Sequence, residues 1–185
     1  MRKKTRALLE RFLQGQATRS RTLDIGCGPR PYRALFPNSV GLDLRGAIDV
    51  RGSALALPFR SSSFPTLLAT EALEHLPDPL AALEEFHRVL APGGKLILTT
   101  RFVYPFHDPP DYFRFTPLGL RTLAERAGFS AIRIQEELAF SEILHRIQHH
   151  SPPARRLLLL KELLILRALD PHLPATGLYL TARKR

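Results

Sequence analysis

The chain has 185 residues, 44% of them hydrophobic and 24% charged, a globular composition long enough to bury a sizeable core in one domain. It has no run of some twenty apolar residues to span a membrane, and its single cysteine excludes an internal disulfide. Lys plus Arg total 27 against 17 acidic residues, a net charge of +10, which can favour nucleic acid, anionic lipid or an acidic small substrate.

The basic residues are spread along the chain, with small clusters only at its ends, Arg2-Lys3-Lys4 and Arg183-Lys184-Arg185. The first cluster has the charge of a secretory signal. Glu10 and Arg11 interrupt the apolar stretch such a signal needs, so a cytoplasmic location is the default expectation. Residues Thr5 to Gln14 have helical spacing, with Ala7, Leu8, Phe12 and Leu13 on one face and Gly15 as a stop.

Thr22-Leu23-Asp24-Ile25-Gly26 then reads as a short buried strand that runs into the turn Gly26-Cys27-Gly28. A short helix or turn is expected from Pro29 to Phe36, opening at Pro31. Val40 to Leu44 forms a second buried strand with an acid, Asp43, near its end. Ile48 to Arg51 is a third, short strand, followed by loops from Gly52 to Pro65. Thr66 to Thr70 is a fourth. The spacing predicts a helix from Asp78 to Leu90, with Asp78 as cap, Pro79 in the first turn, and Leu80, Leu83, Phe86, Val89 and Leu90 on one face.

Ala91-Pro92-Gly93-Gly94 ends that helix, and Lys95 to Thr100 is a fifth strand. Phe102 to Phe115 is a long aromatic, Pro-rich connection of a kind that is often functional. Thr116-Pro117 opens a helix that runs to Ala127, with Gly128 just past its end. Ala131 to Gln135 is a sixth strand. Phe140 to Ala168 is mostly helical and broken at Ser151-Pro152-Pro153, and Gly177 to Ala182 is a seventh strand. Nearly continuous apolar strands alternating with helices specify an α/β fold, a mostly parallel sheet covered on both faces. The expected organisation is one domain over residues 1–185, with a helical insertion at about 140–170 before the last strand.

The turn after the first strand has the chemistry of a nucleoside site. Glycine lets the backbone approach the ligand closely, and the N-terminus of the helix expected to follow exposes unpaired N–H groups. Asp43 lies about twenty residues beyond the first strand's acid, where a carboxylate can accept hydrogen bonds from both ribose hydroxyls. A surface acid at a strand end is the plainer alternative. A dinucleotide site wants a third glycine, yet Gly28 is followed by Pro29, Arg30 and Pro31. The pattern better suits S-adenosylmethionine, which has no pyrophosphate to cradle.

Four blocks resemble the class I S-adenosylmethionine-dependent methyltransferases of the methyltransferase domain 11 type. They are Leu23-Asp24-Ile25-Gly26-Cys27-Gly28, then Val40-Gly41-Leu42-Asp43, then the run from Thr70 through Glu74-His75 to Pro79, and finally Phe86 through Arg88-Val89-Leu90-Ala91-Pro92-Gly93-Gly94 to Leu96. The last is the most specific, and together they cover roughly residues 20–135.

The resemblance implies a Rossmann-like, seven-stranded, mostly parallel sheet with an antiparallel last strand, helices on both faces, and S-adenosyl-L-methionine as cofactor. It further implies that Gly26, Cys27 and Gly28, helped by Asp24, hold the methionine end. Asp43, with Leu44 beside it, would take the ribose. Ser53 and Ala54 would border the adenine, and Thr70 and Glu71 would line the cofactor. Cys27 is then a small residue fitted to a tight turn, not a nucleophile.

Two positions depart from the family pattern. Ser53 stands where an acid usually partners the adenine amino group, and an uncharged acceptor makes the weaker hydrogen bond. Pro65 replaces an aspartate before the fourth strand and is tolerated at a strand's start.

On the acceptor side the candidates for catalysis are His75, His107, Asp108, Tyr112 and Arg114. Methyl transfer is an in-line displacement that needs positioning and at most the removal of a proton. The run from His107 to Pro117 resembles a block found in part of the family. Alternatively, its aromatics cap the sheet while Asp111 and Arg114 pair to stiffen the loop, and His75 is a helix-start residue bonded to backbone. His145 and His149 stand four apart beside His150, but no third ligand is evident nearby, and no metal site is assigned. The apolar stretch from Leu157 to Leu169 is too short and too charged to span a membrane.

The expected partner is a small or medium-sized acceptor molecule. One alternative, from the +10 charge, is an RNA substrate. Thr70-Glu71-Ala72-Leu73 lacks the Pro-Pro-aromatic block of enzymes that methylate base nitrogens, and Asp108-Pro109-Pro110-Asp111 follows the wrong strand. A second alternative, from Ser53 and Pro65, is a cofactor-binding module without catalysis.

Overall fold

The computed structural model describes residues 2–46, 48–102, 104, 106–137 and 177–185. The chain opens with helix α1 (Arg2–Gln14) and strand β1 (Thr22–Ile25). Strands β2 (Ser39–Asp43), β3 (Val50–Arg51) and β4 (Phe64–Thr70) follow, then a 3-10 turn at Leu73–His75 and helix α2 (Pro79–Val89). Strand β5 (Leu90–Arg101), helix α3 (Pro117–Arg126) and strands β6 (Phe129–Glu137) and β7 (Gly177–Lys184) complete the described elements.

The strands form one seven-stranded sheet in the order β3-β2-β1-β4-β5-β7-β6. All neighbours from β3 to β5 pair in parallel. Strand β7 inserts antiparallel between β5 and β6, as the resemblance implies. The alternation of side chains across the sheet sorts the core into two layers. Leu23, Ile25, Leu67, Ala69, Leu96 and Leu98 pack with Leu83 and Phe86 of α2 and Leu120 of α3. Leu68, Ile97 and Tyr179 pack on the other side with Leu9 and Leu13 of α1 and with Phe36.

Both described mid-chain helices are capped as the sequence predicts. Asp78 Oδ1 accepts from Ala81 N at 3.0 Å, and Thr116 Oγ1 accepts from Gly119 N at 3.0 Å. No helix among the described residues is long and apolar enough to cross a membrane.

Several boundaries differ from expectation. Of the short helix or turn expected at 29–36 the structure has the turn, closed by Arg30 N to Cys27 O at 2.9 Å and Leu35 N to Tyr32 O at 2.9 Å. Pro29 and Pro31 remove two backbone donors within three residues, and Arg30 sits at φ 56°, outside the helical region. Strand β3 is limited to Val50–Arg51, because Asp49 turns its carboxylate back to Gly41 N at 2.8 Å.

Strand β4 begins at Phe64, with Pro65 exposed at its second position. Strand β5 begins at Leu90, and its pairing with β4 shifts register before Lys95. The Pro92-Gly93-Gly94 turn is looped out of the ladder there. A Cβ on Gly94 would lie 2.6 Å from the Ala91 carbonyl oxygen, which is why glycine is required. Strand β6 extends beyond the predicted Ala131–Gln135 at both ends. The segment read as helical at 140–168, with His145, His149, His150 and most of the Leu157–Leu169 stretch, lies outside the described residues.

Phe86 is fully buried in the larger core layer. Phe86→Ala is expected to cost about 3–5 kcal/mol, read as a lowered urea midpoint with an unchanged slope. A loss below roughly 1 kcal/mol would mean that α2 does not anchor this layer.

Candidate active site

In this strand order, β1 pairs with β2 on one side, with β3 beyond it, and with β4 on the other, with β5 beyond it. Open α/β sheets receive ligands at the carboxyl ends of the strands where the order reverses. The glycine turn leaves β1 at that point. Gly26 (φ 63°) and Gly28 (φ 48°) both take left-handed conformations, which a side chain would strain. Gly26 is further confined, because an added Cβ would approach Ala72 Cβ at 3.0 Å, whereas nothing lies within 4 Å of the equivalent point on Gly28. The turn therefore packs closely on one side and leaves room on the other.

The turn is fastened to β2. Gly26 N and Cys27 N donate to Leu42 O at 2.9 and 3.3 Å. Asp43 Oδ2 accepts from Gly28 N at 3.0 Å, and its Oδ1 accepts from Leu44 N at 2.7 Å. Each carboxylate oxygen has a second lone pair, so Asp43 can hold the turn and still accept from a ligand diol.

Asp24 is 3% exposed, and its Oδ1 has no hydrogen-bond partner among the described residues. Burial pushes its carboxyl up to about 7, with Arg30 opposing the rise and Asp43 adding to it. A buried acid with an unfilled oxygen, next to a turn with open space, fits the cationic amino end of a methionine-type ligand. The Cys27 thiol is also buried and is raised to about 11, chiefly by burial. A thiol held protonated is not a nucleophile.

Arg30 has no signal in the sequence and organises the underside of the turn. Its guanidinium pairs with Asp49 at 2.8 Å and donates to the Ser39 carbonyl. The Asp49 carboxyl is held below its ordinary value, first by the Gly41 N–H and then by Arg30. Gly41 is needed because a Cβ there would lie 2.8 Å from Cys27 Sγ and 3.1 Å from Arg30 Nε.

Beyond β3, Ala54 is buried. Ser53 Oγ accepts from Leu55 N at 3.2 Å, so its hydroxyl is already engaged by the local turn. At the end of β4, Thr70 pairs with Thr99. Glu71 takes φ 50°, an uncommon conformation for a residue with a side chain, and its N–H donates to Thr99 O at 2.9 Å. Its carboxylate pairs with Arg101, and that guanidinium lies 4.3 Å from the Tyr104 ring centroid.

The five acceptor-side candidates separate in space. His75 and His107 come together, with ring centroids 5.0 Å apart. Arg114 grips Asp111 with both terminal nitrogens and donates through Nε to Tyr104 O at 2.9 Å, which is the loop-stiffening pair considered from the sequence. The guanidinium holds the Asp111 carboxyl well below the usual carboxylate range. Tyr112 is 53% exposed, and Asp108 is exposed.

The residue that sequence reasoning missed is Glu74. It is completely buried, and its Oε2 accepts from the Thr100 hydroxyl at 2.8 Å. Its carbonyl accepts from Tyr112 N at 2.9 Å and Phe113 N at 3.2 Å, which docks the loop onto the 3-10 turn. Burial raises the Glu74 carboxyl. An acid set between Leu73 and Leu76 beside a histidine was the available signal.

A cavity of about 420 Å³ opens at the other ends of the strands, lined by Gly15–Thr18, Pro65 and Ala91–Lys95 among others. It shares no residue with the glycine-turn site.

Residues 23–98 match the methyltransferase domain family. Over 146 residues the chain is 30% identical to the fatty-acid O-methyltransferase of Mycolicibacterium smegmatis, covering 67% of this chain and 53% of the relative. Over 111 residues it is 32% identical to the malonyl-[acyl-carrier protein] O-methyltransferase of Erwinia billingiae, covering 51% and 43%. The chain thus spans about half the length of these curated relatives.

Among solved structures, a SAM-dependent methyltransferase from Archaeoglobus fulgidus matches with a TM-score of 0.66 at 17% identity, covering 100% of this chain and 95% of the other. The [4+2]-cyclase SpnF matches with a TM-score of 0.68 at 20% identity, covering 98% and 82%. Residues 23–98 thus carry the methyltransferase domain of the class I S-adenosylmethionine-dependent methyltransferases, and the sheet has the fold of the matched structures.

Proposed function

We propose that the chain transfers a methyl group from S-adenosylmethionine to a small or medium-sized acceptor. The observation that carries this reading is the pairing of two acids at the glycine turn. Asp24 offers a buried oxygen without a partner, and Asp43 holds the turn while keeping lone pairs for a diol. When bound, the cofactor supplies an electrophilic methyl group on a sulfonium. Asp24, beside the turn Gly26 to Gly28 whose own N–H groups are taken by Leu42 O and Asp43, would hold the amino acid end, Asp43 would hold the ribose, and Ser53 and Ala54 would flank the base. Glu71, His75, His107 and Tyr104 face the acceptor. Arg114 acts at one remove, by fixing Asp111 and through it His107. The relatives named as O-methyltransferases favour an oxygen acceptor. The free Cys27 is in keeping with a cytoplasmic setting.

A cofactor-binding module without methyl transfer is the second reading. It is favoured by the engaged hydroxyl of Ser53 and by the shared fold of a protein named as a [4+2]-cyclase, since a fold does not fix a reaction.

Calorimetry with S-adenosylhomocysteine is expected to show one site per chain, and Asp43→Ala is expected to weaken it at least about tenfold, or 1.4 kcal/mol. No binding to the folded protein up to millimolar ligand would overturn both readings. Binding without methyl transfer in a broad acceptor screen would select the second.

Affinity should also depend on pH. The Asp24 carboxyl, raised to about 7, is protonated below that pH and cannot pair with an ammonium group. Binding is therefore expected to tighten several-fold from pH 6 to pH 8 as Asp24 ionises. In Asp24→Asn the pH dependence should flatten. An unchanged profile in that variant would remove Asp24 from the site.

A further inference from the structure

We infer that Glu74, His75 and His107 form a binding site for a divalent transition-metal cation. One donor atom from each lies within 4.8 Å of the others. A cation with bonds of about 2.1 Å holds its ligands roughly 3–3.5 Å apart, so small rotations of three side chains complete the site.

Two independent features prepare these residues as ligands. The first is the unfilled oxygen of Glu74. The side chain is completely buried, Oε2 is taken by the Thr100 hydroxyl, and Oε1 has no partner among the described residues. Leaving a buried carboxylate oxygen unpaired is costly. A proton there would not remove the problem, since the resulting O–H would itself need an acceptor.

The second feature is the outer support of both imidazoles. His75 Nδ1 lies 2.6 Å from the Pro110 carbonyl, and His107 Nδ1 lies 3.1 Å from Asp111 Oδ2. Both partners are acceptors, which suits the tautomer with the proton on Nδ1 and the lone pair on Nε2, although Arg114 Nη2 also lies 3.4 Å from His107 Nδ1. Ligating histidines are held in this way, with one nitrogen donating to a carbonyl or carboxylate and the other facing the metal. Asp111 is in turn fixed by Arg114 and by the His107 N–H at 2.9 Å, and the loop is docked on the Glu74 carbonyl.

Two imidazoles and one carboxylate suit manganese, iron, cobalt or zinc better than calcium or magnesium, which prefer all-oxygen sets. Three protein donors leave coordination positions for water or for an oxygen of the acceptor. That second role rests on the methyltransferase reading, whereas metal binding does not. The sequence assigned no metal because the ligands come from two segments some thirty residues apart, which only the docking of the loop unites.

The test uses the full chain, stripped with chelator and titrated with Co2+ while its visible absorption is followed. One equivalent per chain with ligand-field bands is expected. Glu74→Gln and His107→Gln should each weaken binding at least about tenfold, whereas His149→Gln should leave it unchanged. Circular dichroism checks that each variant is folded. The His107 change lies in a loop, so it keeps the test decisive if Glu74→Gln fails to fold.

Absence of stoichiometric Co2+ binding, or binding lost in His149→Gln and retained in His107→Gln, would overturn the site. S-adenosylhomocysteine binding measured on the same samples separates the two questions. Cofactor binding without Co2+ binding would sink the metal site and leave the methyltransferase reading standing.

Discussion

The ligand end of this molecule depends on one carboxylate. Asp43 draws the glycine turn of β1 onto the end of β2 by accepting Gly28 N while also accepting Leu44 N. Gly26 and Cys27 are held by their own bonds to Leu42 O, but Gly28, where an added Cβ would meet nothing within 4 Å, depends on that tether. The tether also sets the electrostatics. It places a second negative group near Asp24, which adds to the rise that burial imposes on that acid. Arg30 and Asp49 support the arrangement from beneath, and Gly41 lets them and Cys27 approach β2. Recognition at this end is therefore built from backbone and carboxylates, which explains why it depends on spacing more than on residue size.

The other half of the cleft is organised differently. Here the control lies in a buried side chain and in the loop that closes over it. Glu74 binds Thr100 of β5 through its carboxylate and the loop through its carbonyl, so one residue ties together β5, the 3-10 turn and the acceptor-side segment. Glu71, at positive φ, reaches Arg101 across the same gap. Backbone held in a sparsely populated region commonly marks a site where geometry serves function. The polar network around His75 and His107 thus sits where the fold brings β4 and β5 together, next to the glycine turn but on separate supports.

The sequence made the frame legible because each element announces itself through local rules. Strand β4 reads as a continuous apolar run, α2 and α3 carry both their caps and a proline in the first turn, and the Pro92-Gly93-Gly94 turn is explicit. The residues proposed for the cofactor could be nominated for a related reason: the nomination rests on the distance along the chain between a turn and an acid.

What escaped were features created by packing. Proline decided between the short helix and the turn expected at 29–36 in favour of turns, and the register shift opposite β4 lengthened β5. Arg30 is two residues past the second glycine in nothing more than a turn, and only the fold brings it to Asp49. Glu74 resembles any acid on a helix until its burial is known. Of the five acceptor-side candidates, the two histidines meet across about thirty residues of chain, a contact no periodicity encodes.

The position of the sole cysteine has a practical consequence. Cys27 lies inside the cofactor turn, 4% exposed, with its sulfur packed where a side chain on Gly41 would collide with it. Its thiol is protonated at neutral pH, so a thiol reagent finds almost no reactive sulfur while the turn is closed. Modification must then proceed through local opening, and its rate measures how often the turn comes away from β2. The protein carries its own single-site reporter for the motion that would admit or release a nucleoside ligand, with no label to engineer and no second thiol to confuse the signal.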